Sequence, residues 1–144
     1  MAVALIGAAP QPGAILQVQV SNVRSAKGLV HIDICPAALF LKKNCPYSAT
    51  APARAGTTIV VARGIPAGSY AVQAFHDENG NGDVDRALFG IPKEGVGFSN
   101  DARIARGPPK FADAVFAFDG RGKAITLKMR YFLGPSGPPP RRPR

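Results

Sequence analysis

Tryptophan is absent from this 144-residue chain, histidine and cysteine occur twice each, and the 9 acids are outnumbered by 18 Lys and Arg. Each scarcity closes off chemistry. There is no Gly-x-Ser-x-Gly elbow, no phosphate-cradling Gly-rich turn and no Cys-x-x-Cys redox pair. His31 falls mid-strand on a polar face and reads as solvated. His76 precedes an acidic stretch, so a His76/Asp77 acid–base pair, or a metal-dependent enzyme built on His76 and the following carboxylates, is the one catalytic arrangement the residues permit. Non-catalytic function is the expectation. No apolar run is long enough to cross a bilayer, so no transmembrane segment is expected.

The formal charge of +9 suggests an anionic partner. Arg141, Arg142 and Arg144, however, sit in a proline-rich tail, and the clusters Lys42-Lys43 and Arg103/Arg106/Lys110 lack the interleaved aromatics that base stacking needs. Nucleic acid is therefore not the expected partner. A basic module attracted to an anionic envelope polymer is the competing reading.

Glycine and proline are plentiful, and short apolar runs are separated by turn clusters, a pattern of many short strands in one domain. Ile15–Val20 alternates from Leu16. Lys27-Gly28 turn into Leu29–Ile34, which alternates likewise, and a hairpin between the two is expected. A helical turn is predicted around Ala37–Leu41, followed by an irregular Ala/Pro-rich stretch from Ala49 to Gly56. Further strands are predicted over Thr57–Ala62, Tyr70–Phe75, Ala114–Phe118 and Ala124–Phe132. Ile65-Pro66-Ala67-Gly68 presets a turn into Tyr70, whose hydroxyl is expected to bond back to the loop as at the corner of an Ig-like sandwich. The fold class expected is all-β, an Ig-like β-sandwich of about seven strands. Its domain runs from residue 15 to 133, and the tail from 134 to 144 is expected to be disordered and to bury nothing.

Cys35 and Cys45 are each followed by proline and have no nearby ligand to complete a zinc site. They read as a structural disulfide worth about 2.5 to 3 kcal/mol by loop-closure entropy, or else as two reduced thiols in a cytoplasmic protein. Residues 1–14 are apolar and end in small residues without a basic start, which reads as the remnant of an export signal. Together these features point to a periplasmic or extracellular location.

The most informative stretch is His76-Asp77-Glu78-Asn79-Gly80-Asn81-Gly82-Asp83-Val84-Asp85. Counted from Asp77, it follows the first nine positions of an EF-hand loop, with Asn79 and Asn81 at three and five, Gly82 at six and Asp85 at nine. Position twelve is Leu88, and Gly90 and Pro92 prevent an exit helix, so an EF-hand proper is excluded. Calcium remains open. The candidate ligands are Asp77, Asn79, Asn81, Asp83 through its carbonyl, and Asp85, with Glu94 or Asp101 replacing the missing acid. The alternative is an ion-free polar hairpin turn, its charge compensated by Arg86, Lys93, Arg103 and Arg106. The loop from Asp77 to Ala112 has little periodicity, a length uncommon unless functional or ordered from outside.

The same residues resemble a known family. His76-Asp77-Glu78-Asn79-Gly80-Asn81-Gly82, then Phe89-Gly90-Ile91-Pro92-Lys93-Glu94-Gly95-Val96-Gly97-Phe98-Ser99-Asn100 and Gly107-Pro108-Pro109-Lys110-Phe111, are similar to the exported bacterial proteins of domain of unknown function family 2141. The resemblance spans about Leu16 to Tyr131. It implies a small exported sandwich of the transthyretin-like kind and no established activity. The function expected is thus a non-catalytic binding or structural module of the bacterial envelope, calcium-stabilised where the loop takes the ion rather than forming the ion-free turn, with an envelope protein or polymer as partner.

Overall fold

A computed structural model describes residues 14–42, 44–80, 94–104 and 107–140. The strands are β1 (Ile15–Val23), β2 (Leu29–Cys35), β3 (Tyr47–Pro52), β4 (Gly56–Arg63), β5 (Gly68–Asp77), β6 (Val96–Phe98), β7 (Phe116–Phe118) and β8 (Gly122–Lys128). They form two sheets in the order β4-β1-β8 and β3-β2-β5-β6, with β7 on the same free edge of β5. β1 is antiparallel to β4 and parallel to β8.

Alternation explains which face each strand buries. Leu16, Val18 and Val20 of β1, Val60 and Ala62 of β4, Val30, Ile32 and Ile34 of β2, and Val72 and Ala74 of β5 point inward and form the main core. At about 25 cal/mol per Å² of apolar surface, each buried Leu, Val or Ile among them contributes about 1.5 to 3 kcal/mol. A second core lies on the outer face of the β2/β5 sheet. There Cys35, Phe40, Ala71, Phe98, Ala102 and Ala114 pack together, and Phe40 meets Phe98 and Phe111 edge-on. Cys35 and Cys45 are bonded, with their Cα atoms 5.1 Å apart, and this bridge holds the 3-10 turn Ala37–Leu39 over that face.

The hairpin expected between the first two strands does not form, because β1 and β2 belong to different sheets. A period of two marks a half-buried strand but not which sheet owns it, and two strands facing each other across one core alternate just as a hairpin does. The Ala/Pro-rich stretch contains the edge strand β3, whose small side chains and terminal Pro52 hide it from periodicity and suit an edge. The last strand ends at Lys128 rather than Phe132. Beyond it, Arg130 makes only an isolated bridge to Val96. The long loop includes β6, a 3-10 turn at Ser99–Asp101 and the short helix α1 (Phe111–Ala114). As expected of the corner, the Tyr70 hydroxyl donates to the Pro66 carbonyl at 2.8 Å.

The tail is described as far as Pro140. Asn22 Nδ2 donates to Met129 O at 2.8 Å and to Ser136 O at 2.7 Å, and Arg24 Nη1 donates to Pro135 O at 3.1 Å. Each partly exposed bond contributes about 0.5 to 1 kcal/mol. Truncation after Leu133 should therefore lower the melting temperature by a few degrees, whereas removing only residues 141–144 should leave it unchanged. Differential scanning calorimetry of the two truncations checks both outcomes, and equal melting temperatures would show that the docking contributes nothing.

Candidate functional site

The end of the sandwich where β5 terminates gathers the polar groups. His31 contacts the Phe75 ring on the outer face of the sheet, so alternation turns His76 inward, between the sheets, where it has no exposed surface. Its Nε2 lies 2.8 Å from the Lys27 carbonyl, which can only accept, so Nε2 carries a proton. Nδ1 then accepts from the Tyr131 hydroxyl at 2.8 Å. The Tyr131 oxygen in turn accepts the Arg24 backbone N–H at 3.0 Å. Every donor in this chain has an acceptor.

Arg24 extends the network outward. Its guanidinium lies 4.5 Å from the centre of the Tyr131 ring, binds Glu78 Oε1 through Nε and Nη2, and reaches the Leu133 carbonyl through Nη1. Ser25 Oγ donates to the second Glu78 oxygen at 3.0 Å. Burial would raise the Glu78 pKa, but the Arg24 and Ser25 hydrogen bonds and the Arg24 charge outweigh it and hold the carboxyl below its ordinary value of 4.5. Burial, with the Glu78 charge adding to it, pushes Tyr131 up to about 12, so the phenol stays a donor at physiological pH.

Two glycines let the elements approach this closely. Gly28 has φ +68, and a Cβ there would sit 1.9 Å from the Asp77 carbonyl oxygen, which presses the β1–β2 connection onto the end of β5. A Cβ on Gly95 would lie 2.5 Å from the Tyr131 ring, and the Gly95 carbonyl accepts the His76 N–H at 2.9 Å.

The residues expected to bind metal are only partly brought together. Asp77 is buried at the end of β5, and Asn79 is exposed in the turn that follows. The β5–β6 ladder ends at Phe75–Val96, the His76 N–H bonds the Gly95 carbonyl just beyond it, and the preceding residue, Glu94, is buried as Asp77 is. Asp101 lies elsewhere. It follows Ser99, whose Oγ accepts the Val72 N–H in the middle of β5. There its Oδ1 accepts the Lys128 N–H at 2.8 Å and covers the β8 edge. Asn81, Asp83 and Asp85 fall outside the described residues. Among the described residues, no three His, Cys, Asp or Glu side chains form a group that could hold a metal.

The sequence reading missed Arg24 and Tyr131 as partners of His76. Their separations from Glu78 and His76, 54 and 55 residues, leave no local signal.

Replacing Tyr131 with Phe strands the Arg24 N–H and His76 Nδ1, and should cost about 1 to 3 kcal/mol in urea unfolding. Glu78→Gln tests the ion pair through pH. A carboxyl whose folded pKa is lowered adds stability above its ordinary 4.5, and that increment is lost as pH falls through the lower folded value. The variant should thus be less stable than the parent at neutral pH, and the gap should close in acid. A gap independent of pH would mean that packing, not charge, makes the contribution.

Comparison with known proteins adds one match. No curated protein and no solved structure matches the chain. A family model does, over residues 18–126, covering β1 through most of β8 together with Arg24, His76 and Glu78 and stopping short of Tyr131. The chain belongs to the family described as uncharacterized protein conserved in bacteria (DUF2141).

Proposed function

We propose that the protein is an exported, non-catalytic β-sandwich of the bacterial envelope, of the Ig-like or transthyretin-like kind, with a binding or structural role and an acidic loop that takes calcium. The observation that carries the non-catalytic reading is the state of His76. Both ring nitrogens are bonded to protein partners and the ring has no exposed surface, so the best acid–base candidate is committed to closing the sandwich. Export is supported by the Cys35–Cys45 bond, which persists in oxidising compartments, and by the apolar residues 1–14.

Calcium is supported by the alternate spacing of Asp77, Asn79, Asn81, Asp83 and Asp85 and by the burial of both Asp77 and Glu94, with the neighbouring His76 and Gly95 hydrogen-bonded to each other. Of the two distant acids, Glu94 is the one nearer the loop in sequence. Asp101 is withdrawn to the β8 edge. Six to eight oxygens at about 2.3 to 2.6 Å are needed, and the loop with Glu94 can supply them, at an affinity of about 10⁻⁴ to 10⁻³ M.

Calorimetric titration of calcium into the intact protein tests this. Binding should be lost in Asp77→Asn and Asp85→Ala and kept in Asp101→Ala. A hundredfold excess over the dissociation constant should stabilise the parent by about 2.7 kcal/mol. No heat and no shift in melting temperature at several millimolar calcium would remove the ion from the proposal.

A further inference from the structure

The outer face of the β4-β1-β8 sheet is a second candidate surface, remote in character from the acidic loop. The register stacks it in rows: Arg63, Ile15 and Gly122; then Val61, Gln17 and Ala124; then Ile59, Gln19 and Thr126; with Ser21 and Lys128 closing the far end. Ile59 and Val61 are 51% and 38% exposed. Gly122, Ala124 and Thr126 keep β8 low, so the face is stepped, with a raised apolar rail along β4, amides in the middle and a shallow floor beside them. It measures roughly 20 Å along the strands and about 10 Å across.

Charge decides what this face can meet. No carboxylate stands in any of its rows. Arg63 and Lys128 mark diagonal corners, both exposed, and among the described residues the one Lys or Arg ion pair is Arg24–Glu78. Two acids border β8, but each is turned to backbone. Asp101 accepts the Lys128 N–H, and Asp119 accepts those of Arg121 and Gly122. Among the described residues, neither corner cation makes an ion pair. A second copy fits poorly, because it would bring the same two cations and no carboxylate to meet them. The area, on the order of 200 to 300 Å², is also well below the about 800 Å² per partner of a stable interface. Nucleic acid would want stacking aromatics, and the face has none.

We infer that this face binds an extended acidic polysaccharide bearing uronate carboxylates. Arg63 and Lys128 pair with carboxylates several sugars apart, Gln17 and Gln19 bond hydroxyls, and Ile59 and Val61 cover the apolar ring faces. This deepens the reading of the protein as an envelope binding module and rests on it.

The test is affinity electrophoresis and calorimetry of the full chain with polygalacturonate, neutral dextran and duplex DNA at about 0.15 M salt, where surface charges are screened beyond about 8 Å. Polygalacturonate should bind and the other two should not. The Arg63→Ser/Lys128→Ser double variant should lose about fivefold to tenfold in affinity, as two exposed charge pairs allow. Gln17→Ala/Gln19→Ala should also weaken binding. The charge-matched Arg103→Ser/Lys110→Ser variant, changed on the loop over the other sheet, should stay within about twofold. Equal loss in both charge variants, equal binding of DNA, loss only on deleting residues 141–144, or dimerisation through the face in sedimentation would each overturn the proposal. Running every arm with calcium and with chelator separates the two readings. Polymer binding without a calcium response leaves this face standing, and a calcium response without polymer binding leaves only the module.

Discussion

The double burial of β5 is the constraint on which the rest of the structure depends. Val72 and Ala74 face the main core, while Ala71 faces the second core on the outer side of the same sheet. A strand covered on both faces needs a second layer, and among the described residues there is no long helix to supply one. The cover is assembled from the bridged excursion after β2 and from the segment around β6 and α1. That is why Phe40, Phe98 and Phe111 meet there and why the disulfide sits where it does. A bridge closing a short loop fixes a cover too small to hold itself in place.

The free edge of β5 is managed in three pieces. β7 pairs with Gly68–Tyr70, β6 with Gln73–Phe75, and between them the Ser99 hydroxyl takes the Val72 N–H and passes its own proton to Ala114 O. One serine side chain thus replaces a rung of the ladder at the point where two short strands fail to meet. An unpaired buried N–H would cost about 1 to 3 kcal/mol. The irregular sequence of this segment is consequently a set of local solutions to one strand's hydrogen-bonding demand.

This explains which parts were legible in the sequence. β1, β2 and β4 each bury one face to the main core and alternate, so their existence and facing could be read from period two, while the Tyr70 strand, buried on both faces, was marked by the turn that delivers it. The Tyr70 corner was visible because its partner, Pro66, lies four residues away. β3 was not visible, since alanine and proline carry no contrast between faces. β6 was not, being three residues long and flanked by glycine. The buried network at the sandwich end was half visible: His76 and Asp77 drew notice for their chemistry, but Arg24, Tyr131 and the Lys27 carbonyl reach His76 only through the tertiary fold. Sequence alone also assigned Asp101 to the acidic loop, because it counts carboxylates by proximity along the chain. The fold spends that carboxylate on the β8 edge instead.

Internal use of the acids also accounts for the lopsided charge. Asp77 and Glu94 are buried, Glu78 is taken by Arg24, Asp33 by His31 and Gln73, and Asp101 and Asp119 by backbone N–H groups. These carboxylates serve the fold, and the one ion pair with a lysine or arginine among the described residues is Arg24–Glu78. The net +9 is therefore felt almost entirely by the solvent side of the molecule, where the summed field of dispersed cations raises the local concentration of polyanions. A protein whose acids hold it together and whose bases face outward keeps that field when its folding interactions are complete. The excess charge is then a property available for encounter rather than a cost borne by the core.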